Sequence, residues 1–354
     1  MGSNEFGTLF KITTWGESHG QAIGAVIDGC PAGLTISVEE IDSALSVRAP
    51  GTSPYTSPRK EADRVEILSG VFEGKTTGAP ISLLIKNRDA DSSKYEPVKD
   101  LLRPGHANFT YLEKYGVFDY RGGGRASARE TACRVAAGAV AKKLLAHYGI
   151  EVVAWLQQVG SIEAKTYKSE SSRIFCPDPQ TEQEMVALLE ETKTEGDSVG
   201  GIVSFLIKNA PVGLGDPVYE KLEAKLASAM MSLPASKGFE IGEGFASVSM
   251  KGSQNNDLFC ERKGEIRTES NHSGGTLGGI SNGMPIYGRV VFKPASSIMK
   301  TQSTLTLEGK QANLSLPEGS RHDPCVAIRA VPVVEAMAAL VIADALLMNR
   351  SAKL

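Results

Sequence analysis

The chain has 354 residues, a length that implies one large domain or two. With 38 basic against 41 acidic side chains its net charge is −3, which excludes a dedicated nucleic-acid binder, whose footprint is a basic domain. Its five cysteines are odd in number and scattered, with no CxxC pair, which excludes a secreted disulfide framework and argues against a cysteine-based zinc site.

In chain order, a β-branched run predicts a first strand over 22–28. The capping box Ser37-Val-Glu-Glu40 predicts a helix carrying Ile41 and Leu45. Strands are predicted over 65–68 and 81–86. A second capping box, Ser127-Ala-Arg-Glu130, opens an Ala-rich helix to about His147, with Gly149 as its stop. A strand over 151–157 follows, then a helix capped by Thr181-Glu-Gln-Glu184 and a strand over 202–208. Asp216-Pro217 reads as a cap and first-turn proline before Leu222, Leu226 and Met230. The last strands are predicted over 245–250 and 286–293. Val331 to Met348 is interrupted by Pro332, Glu335 and Asp344, so it reads as a buried helix rather than a membrane span. With no apolar leader segment in view, the expected compartment is a reducing cytoplasm, or an organelle whose import signal is not in this sequence, with no membrane partner.

One succession occurs twice. A strand, Pro31-Ala-Gly-Leu34, a helix, Gly78-Ala-Pro-Ile81, a strand, a long loop and an Ala-rich helix recur as a strand, Pro211-Val-Gly-Leu214, a helix, Gly283-Met-Pro-Ile286, a strand, a long loop and an Ala-rich helix. This predicts an α+β fold of two structurally similar halves, about 6–150 and 200–350, within one domain over 1–354. The segments 87–126, 251–284 and 297–323 are rich in Gly, Ser, Asn and Arg. Loops of that length in a compact protein are generally functional, and these are expected to be long active-site loops.

Among the histidines, His147 sits in a helix's last turn, where a cation complements the dipole. His19, His106, His272 and His322 stand in polar or Gly-rich contexts, and those in Gly16-Glu-Ser-His-Gly20, Arg103-Pro-Gly-His-Ala107 and Arg321-His-Asp-Pro-Cys325 are candidates for one shared site. Metal-ligand spacing is absent, and Ser18-His19 lacks a nucleophile-elbow frame. The strongest segment is Arg121-Gly-Gly-Gly-Arg-Ala-Ser-Ala-Arg-Glu-Thr131. Glycines let backbone approach a ligand, and a helix start beside Arg121, Arg125 and Arg129 attracts anions. Arg48, Arg103, Lys293, Arg321 and Arg329 add further cations. The reading is a site for a phosphorylated or carboxylated small molecule.

These residues resemble a known family. GESHG at 16–20, RPGHA at 103–107, GGGRASARET at 122–131, the glycine loop at 274–283, KPASS at 293–297 and RHDPC at 321–325 are similar to the motifs of chorismate synthases, in order along the whole chain. The resemblance implies a β-α-β sandwich with helices between antiparallel sheets, usually a homotetramer. It implies the conversion of 5-enolpyruvylshikimate 3-phosphate to chorismate and phosphate, a 1,4-anti-elimination that needs reduced FMN, with NADPH a candidate reductant. By the same resemblance His19 is the acid toward the leaving phosphate, His106 lies at the flavin pyrimidine edge, and Asp323 is the base near flavin N5. Ser18 and Ser127 are relay hydroxyls. Arg48, Arg103, Arg129 and Arg321 are substrate ligands. Arg125, Ala126, Ser127, Pro234, Ala235, Gly278, Lys293, Pro294, Ala295, Ser296, Ser297 and Arg321 are FMN contacts. The chain departs from the family at Ala49 and Ala126, where Arg and Ser are common, and at Asn108, where Asp is usual. A flavin reductase and a flavin or phosphometabolite sensor are the competing readings.

Overall fold

The computed structural model describes residues 3–49, 51, 55, 63–88, 93–167, 172–317, 320 and 323–354. Two antiparallel sheets enclose a helix layer. In the first half, β1 (Lys11–Gly16), β2 (Ala22–Asp28), α1 (Val38–Arg48), β3 (Val65–Ser69), β4 (Ile81–Lys86), α2 (Asn108–Tyr115) and α3 (Thr131–His147) follow in turn. The second half runs β5 (Glu151–Val159), α4 (Pro179–Thr194), β6 (Gly201–Lys208), α5 (Leu222–Met231), β7 (Ser236–Ile241), β8 (Ile286–Phe292) and α6 (Ala327–Asn349).

The sheet order is β1-β2-β4-β3 in the first half and β5-β6-β8-β7 in the second, each extended by a two-residue strand at one edge. The two halves thus share one topology, with α4 as an insertion between the first two strands of the second. Alternation drives the sheets. Ile81, Leu83 and Ile85 of β4 point inward, as do Val203, Phe205 and Ile207 of β6, and all are buried.

At the centre, α3 packs on α6. Both faces are rich in alanine, so the backbones come close. A Cβ on Gly138 would lie 2.8 Å from the Ala336 Cα, so only glycine fits at the crossing. By length and composition α6 could cross a membrane, but 78% of its most apolar stretch is buried in the helix layer.

The Ser37 capping box forms as predicted. Three other starts differ. The helix expected to be capped by Thr181 begins at Pro179, with Asp178 accepting from Gln180 N, because Asp-Pro supplies both a cap and a first-turn residue without a free N–H. The helix expected after Asp216-Pro217 begins only at Leu222, because Val218 takes a left-handed backbone that breaks the first turn. Ser127 does accept from Arg129 N, but it caps a short 3-10 turn ahead of α3, and Glu130 turns instead to Thr14 and Arg134. The strand predicted over 245–250 is a 3-10 turn at Gly244–Ser249, where Phe245 and Val248 face solvent; the true strand, β7, lies just before it.

Candidate active site

Two histidines meet on one glycine turn. Gly122, Gly123 and Gly124 all have positive φ, a run only glycine adopts without strain. A Cβ on Gly122 would overlap the His19 ring and come within 3.0 Å of Ser18 Oγ. One on Gly123 would lie 3.4 Å from His106 Cε1. The turn therefore seats both rings on successive residues. His19 also packs edge-on against Tyr95, centroids 5.3 Å apart. The turn that carries His19 is held by Asn87, whose amide donates to Glu17 O and Gly20 O. Ser127 Oγ donates to Ser18 Oγ at 3.2 Å, joining the two predicted relay hydroxyls.

His106 belongs to a loop closed by Asn108, whose Oδ1 accepts from Arg103 N and whose amide donates to Leu101 O. An amide serves both bonds, which gives Asn at this position a structural reason. The same loop is tied to the 293–297 segment. Lys293 Nζ and Ser296 Oγ donate to Gly105 O, at 2.7 and 2.8 Å, and Arg103 Nη2 donates to Ser297 Oγ at 2.7 Å. Burial first, then Arg103 and Lys293, push the His106 pKa down from 6.5 to about 4, so the ring is neutral at pH 7. Its Nδ1 is buried and has no hydrogen-bond partner among the described residues.

Arg48 and Arg129 are both buried and share Asp63, one carboxylate oxygen each, with Arg48 Nη1 at 3.2 Å. Arg48 also donates to Ala128 O and Thr131 Oγ1, and Arg129 to Asn87 Oδ1. Burial, Arg329 and Arg129 hold the Arg48 pKa down at about 9, still cationic at neutral pH. Asp63 has φ of +36°, a backbone that most non-glycine residues avoid. Neither Asp63 nor Asn87 was singled out in the sequence. An acid two residues before a strand and an Asn one residue after another have no local signature; their partners come from distant segments.

A cleft of about 80 Å³ between the halves is lined by Arg48, Ala128, Thr131, Pro234, Ala235, Asp323 and Arg329, among others. The first turns of α3 and α6 both open onto it. Asp323 accepts from Arg329 Nη1 at 3.1 Å. Ala235 O accepts from Lys293 N, which joins the predicted 234–235 and 293–297 contacts. Pro294 packs near Gly200, and Ala295 O accepts from Ser198.

Other predicted residues fall elsewhere. Arg125 spends its guanidinium on Gly16 O and Thr14, and with Ala126 lines a larger cleft of about 830 Å³ beside Tyr111, Phe118 and Arg134. Gly278 lies in a hairpin turn against the loop that leads into α5, at the far end of β8 from Lys293. Within one chain it does not join the histidines. His272 pairs with Glu243, away from the cluster, and Arg321 and His322 lie outside the described residues. Cys133 and Cys325 are pushed up to about 12 by burial, so neither is a thiolate nucleophile.

Comparison with known proteins matches the chorismate synthase family model to residues 10–347. Chorismate synthases of Protochlamydia amoebophila and Christiangramia forsetii are 59% and 51% identical, over 100% of both chains. That of Synechocystis is 52% identical over 97% of both. A crystal structure of a chorismate synthase superposes with a TM-score of 0.77 at 35% identity, covering 97% of this chain and 93% of that one. Likeness of this extent, in sequence and in fold together, means that the chain belongs to the chorismate synthase family, as a carbon–oxygen lyase forming chorismate from 5-enolpyruvylshikimate 3-phosphate, and the family implies a reduced flavin cofactor.

Proposed function

We propose that the flavin is FMN, that it lies against the turn carrying His19 and His106, and that these histidines and Asp323 divide the proton transfers. The observation that carries the reading is the pair of histidines on consecutive glycines. The fit to the cofactor rests on His106. A buried ring nitrogen without a partner among the described residues, flanked by Arg103 and Lys293, suits an anionic heteroaromatic edge. Lys293, Ser296, Ser297, Pro234 and Ala235 would hold the cofactor from the second half. Reduced FMN, when bound, supplies electron density to the substrate π-system and regains it as the C6 hydrogen departs.

The chain's own residues do the rest. His19 delivers a proton to the phosphate as it leaves, with Ser18 and Ser127 fixing the ring's surroundings. General acid help of this kind is worth ~10²–10⁴ in rate. Asp323 receives the proton released near flavin N5. Arg103 and Arg129, with Arg48 behind them, hold the substrate anions in place by charge. Arg48 and Arg129 act mainly as fixed positive charges, because most of their donors are already bonded. A cytoplasmic homotetramer completes the reading, and it gives Gly278 a route to a cofactor through a second copy. NADPH or an external reductase supplies the reducing equivalents.

The test is anaerobic phosphate release from 5-enolpyruvylshikimate 3-phosphate with reduced FMN, with and without NADPH. Release is expected with reduced FMN and not with oxidised FMN alone. Steady nicotinamide oxidation in the absence of the phosphorylated substrate, with no phosphate release in its presence, would instead mark a flavin reductase.

A further inference from the structure

We propose that Arg329 is a positioning residue of the reaction site, holding the Asp323 carboxylate at the cleft between the two halves. This rests on the reading of Asp323 as the proton acceptor. Arg329 is the third residue of α6, whose start has no side-chain cap. A cation in a helix's first turn opposes the dipole, so helix stability does not explain an arginine there. Nor is the guanidinium fully used by its neighbours. Nη1 donates to Asp323 Oδ2 at 3.1 Å, yet Nε is buried with no acceptor among the described residues. The side chain lines the same cleft as Arg48, Pro234 and Ala235 and repels the Arg48 charge. Local rules are broken in this way where a site needs a group in a fixed place. An ion pair six residues apart, spanning the entry to α6, fixes which way the Asp323 carboxylate faces.

The experiment uses Arg329→Met, Arg329→Lys, Asp323→Asn and the double variant Asp323→Asn/Arg329→Met. For each, kcat, KM, the FMN dissociation constant and the apo-protein melting temperature are measured, and crystal structures show where the Asp323 side chain points. Arg329→Met should lower kcat about 10- to 100-fold, the scale of a misplaced catalytic group, while KM and FMN affinity change little. Arg329→Lys should recover part of the loss, with Asp323 in place. In the double variant, loss of Arg329 should cost almost nothing beyond Asp323→Asn, because the two act as one unit. Wild-type kcat in Arg329→Met, fully multiplicative losses in the double variant, or an unmoved Asp323 would overturn the proposal. If Arg329→Met does not fold, the same cycle is run with Arg329→Lys, and multiplicative losses there overturn it equally. Wild-type turnover in Asp323→Asn would overturn the reading of Asp323 itself, a separate outcome.

Discussion

At the scale of single residues, His106 shows how the site's electrostatics feed back on stability. Its folded pKa of about 4 lies below the ordinary 6.5, chiefly through burial. Between those values the unfolded chain binds a proton that the folded protein refuses. Stability is therefore intact above pH 6.5 and declines as pH falls toward 4. His106→Gln should flatten that part of the pH dependence. Urea midpoints at pH 7 and pH 5 for both proteins measure it, and an identical fall in each would refute the assignment. An anion at the Nδ1 edge should raise the histidine's pKa and lessen the decline. The candidate histidines could be read from the sequence because glycine and arginine beside a histidine are unusual locally. Asp63 and Asn87 could not, since their roles come from segments that meet only in the fold.

Among elements, the crossing of α3 and α6 is the tightest constraint. Gly138→Ala gains helix propensity of ~1 kcal/mol but forces a Cβ against the Ala336 backbone. Overpacking a close interface costs ~1–3 kcal/mol, so the variant should be net destabilised in urea unfolding. A more stable variant would mean that the helices separate freely. Most strands were legible because β-branched runs ended at Gly and Pro. The Ser37 helix start was legible because its capping box is complete within four residues. At Asp216-Pro217 the same vocabulary misled: the turn residues occur in the sequence, but the left-handed Val218 delays the helix. At 245–250 an apolar run resembled a strand although its large side chains lie on the surface. Strand β7 was hidden by Lys237 and Gly238, which break the alternation that a strand search relies on.

For the whole molecule, the repeated order of turn motifs corresponds to two sheets of like topology. What the sequence left open was how the halves meet, because helix-on-helix packing leaves no short-range mark. That meeting gathers Arg48, Arg129 and Arg329, opposed by Asp63 and Asp323, in a protein whose net charge is −3. A locally positive cleft in an acidic molecule should draw a multiply charged anion by long-range attraction. Salt screens such attraction over ~10 Å at 0.1 M, so the substrate association rate should fall as ionic strength rises. Stopped-flow binding across a salt series measures this, and a flat response would contradict a charge-guided approach.

The two helices whose first turns line that cleft carry a further consequence. Each contributes about half a positive charge through its peptide groups, independent of any side chain. Part of the pull on an anion is thus built into the backbone. Replacing one arginine lowers the local potential without abolishing it. Losing one cationic side chain at the cleft should therefore weaken the attraction for phosphate without removing it. The attraction is shared between side chains and the fold itself, and the fold's share does not depend on any single residue.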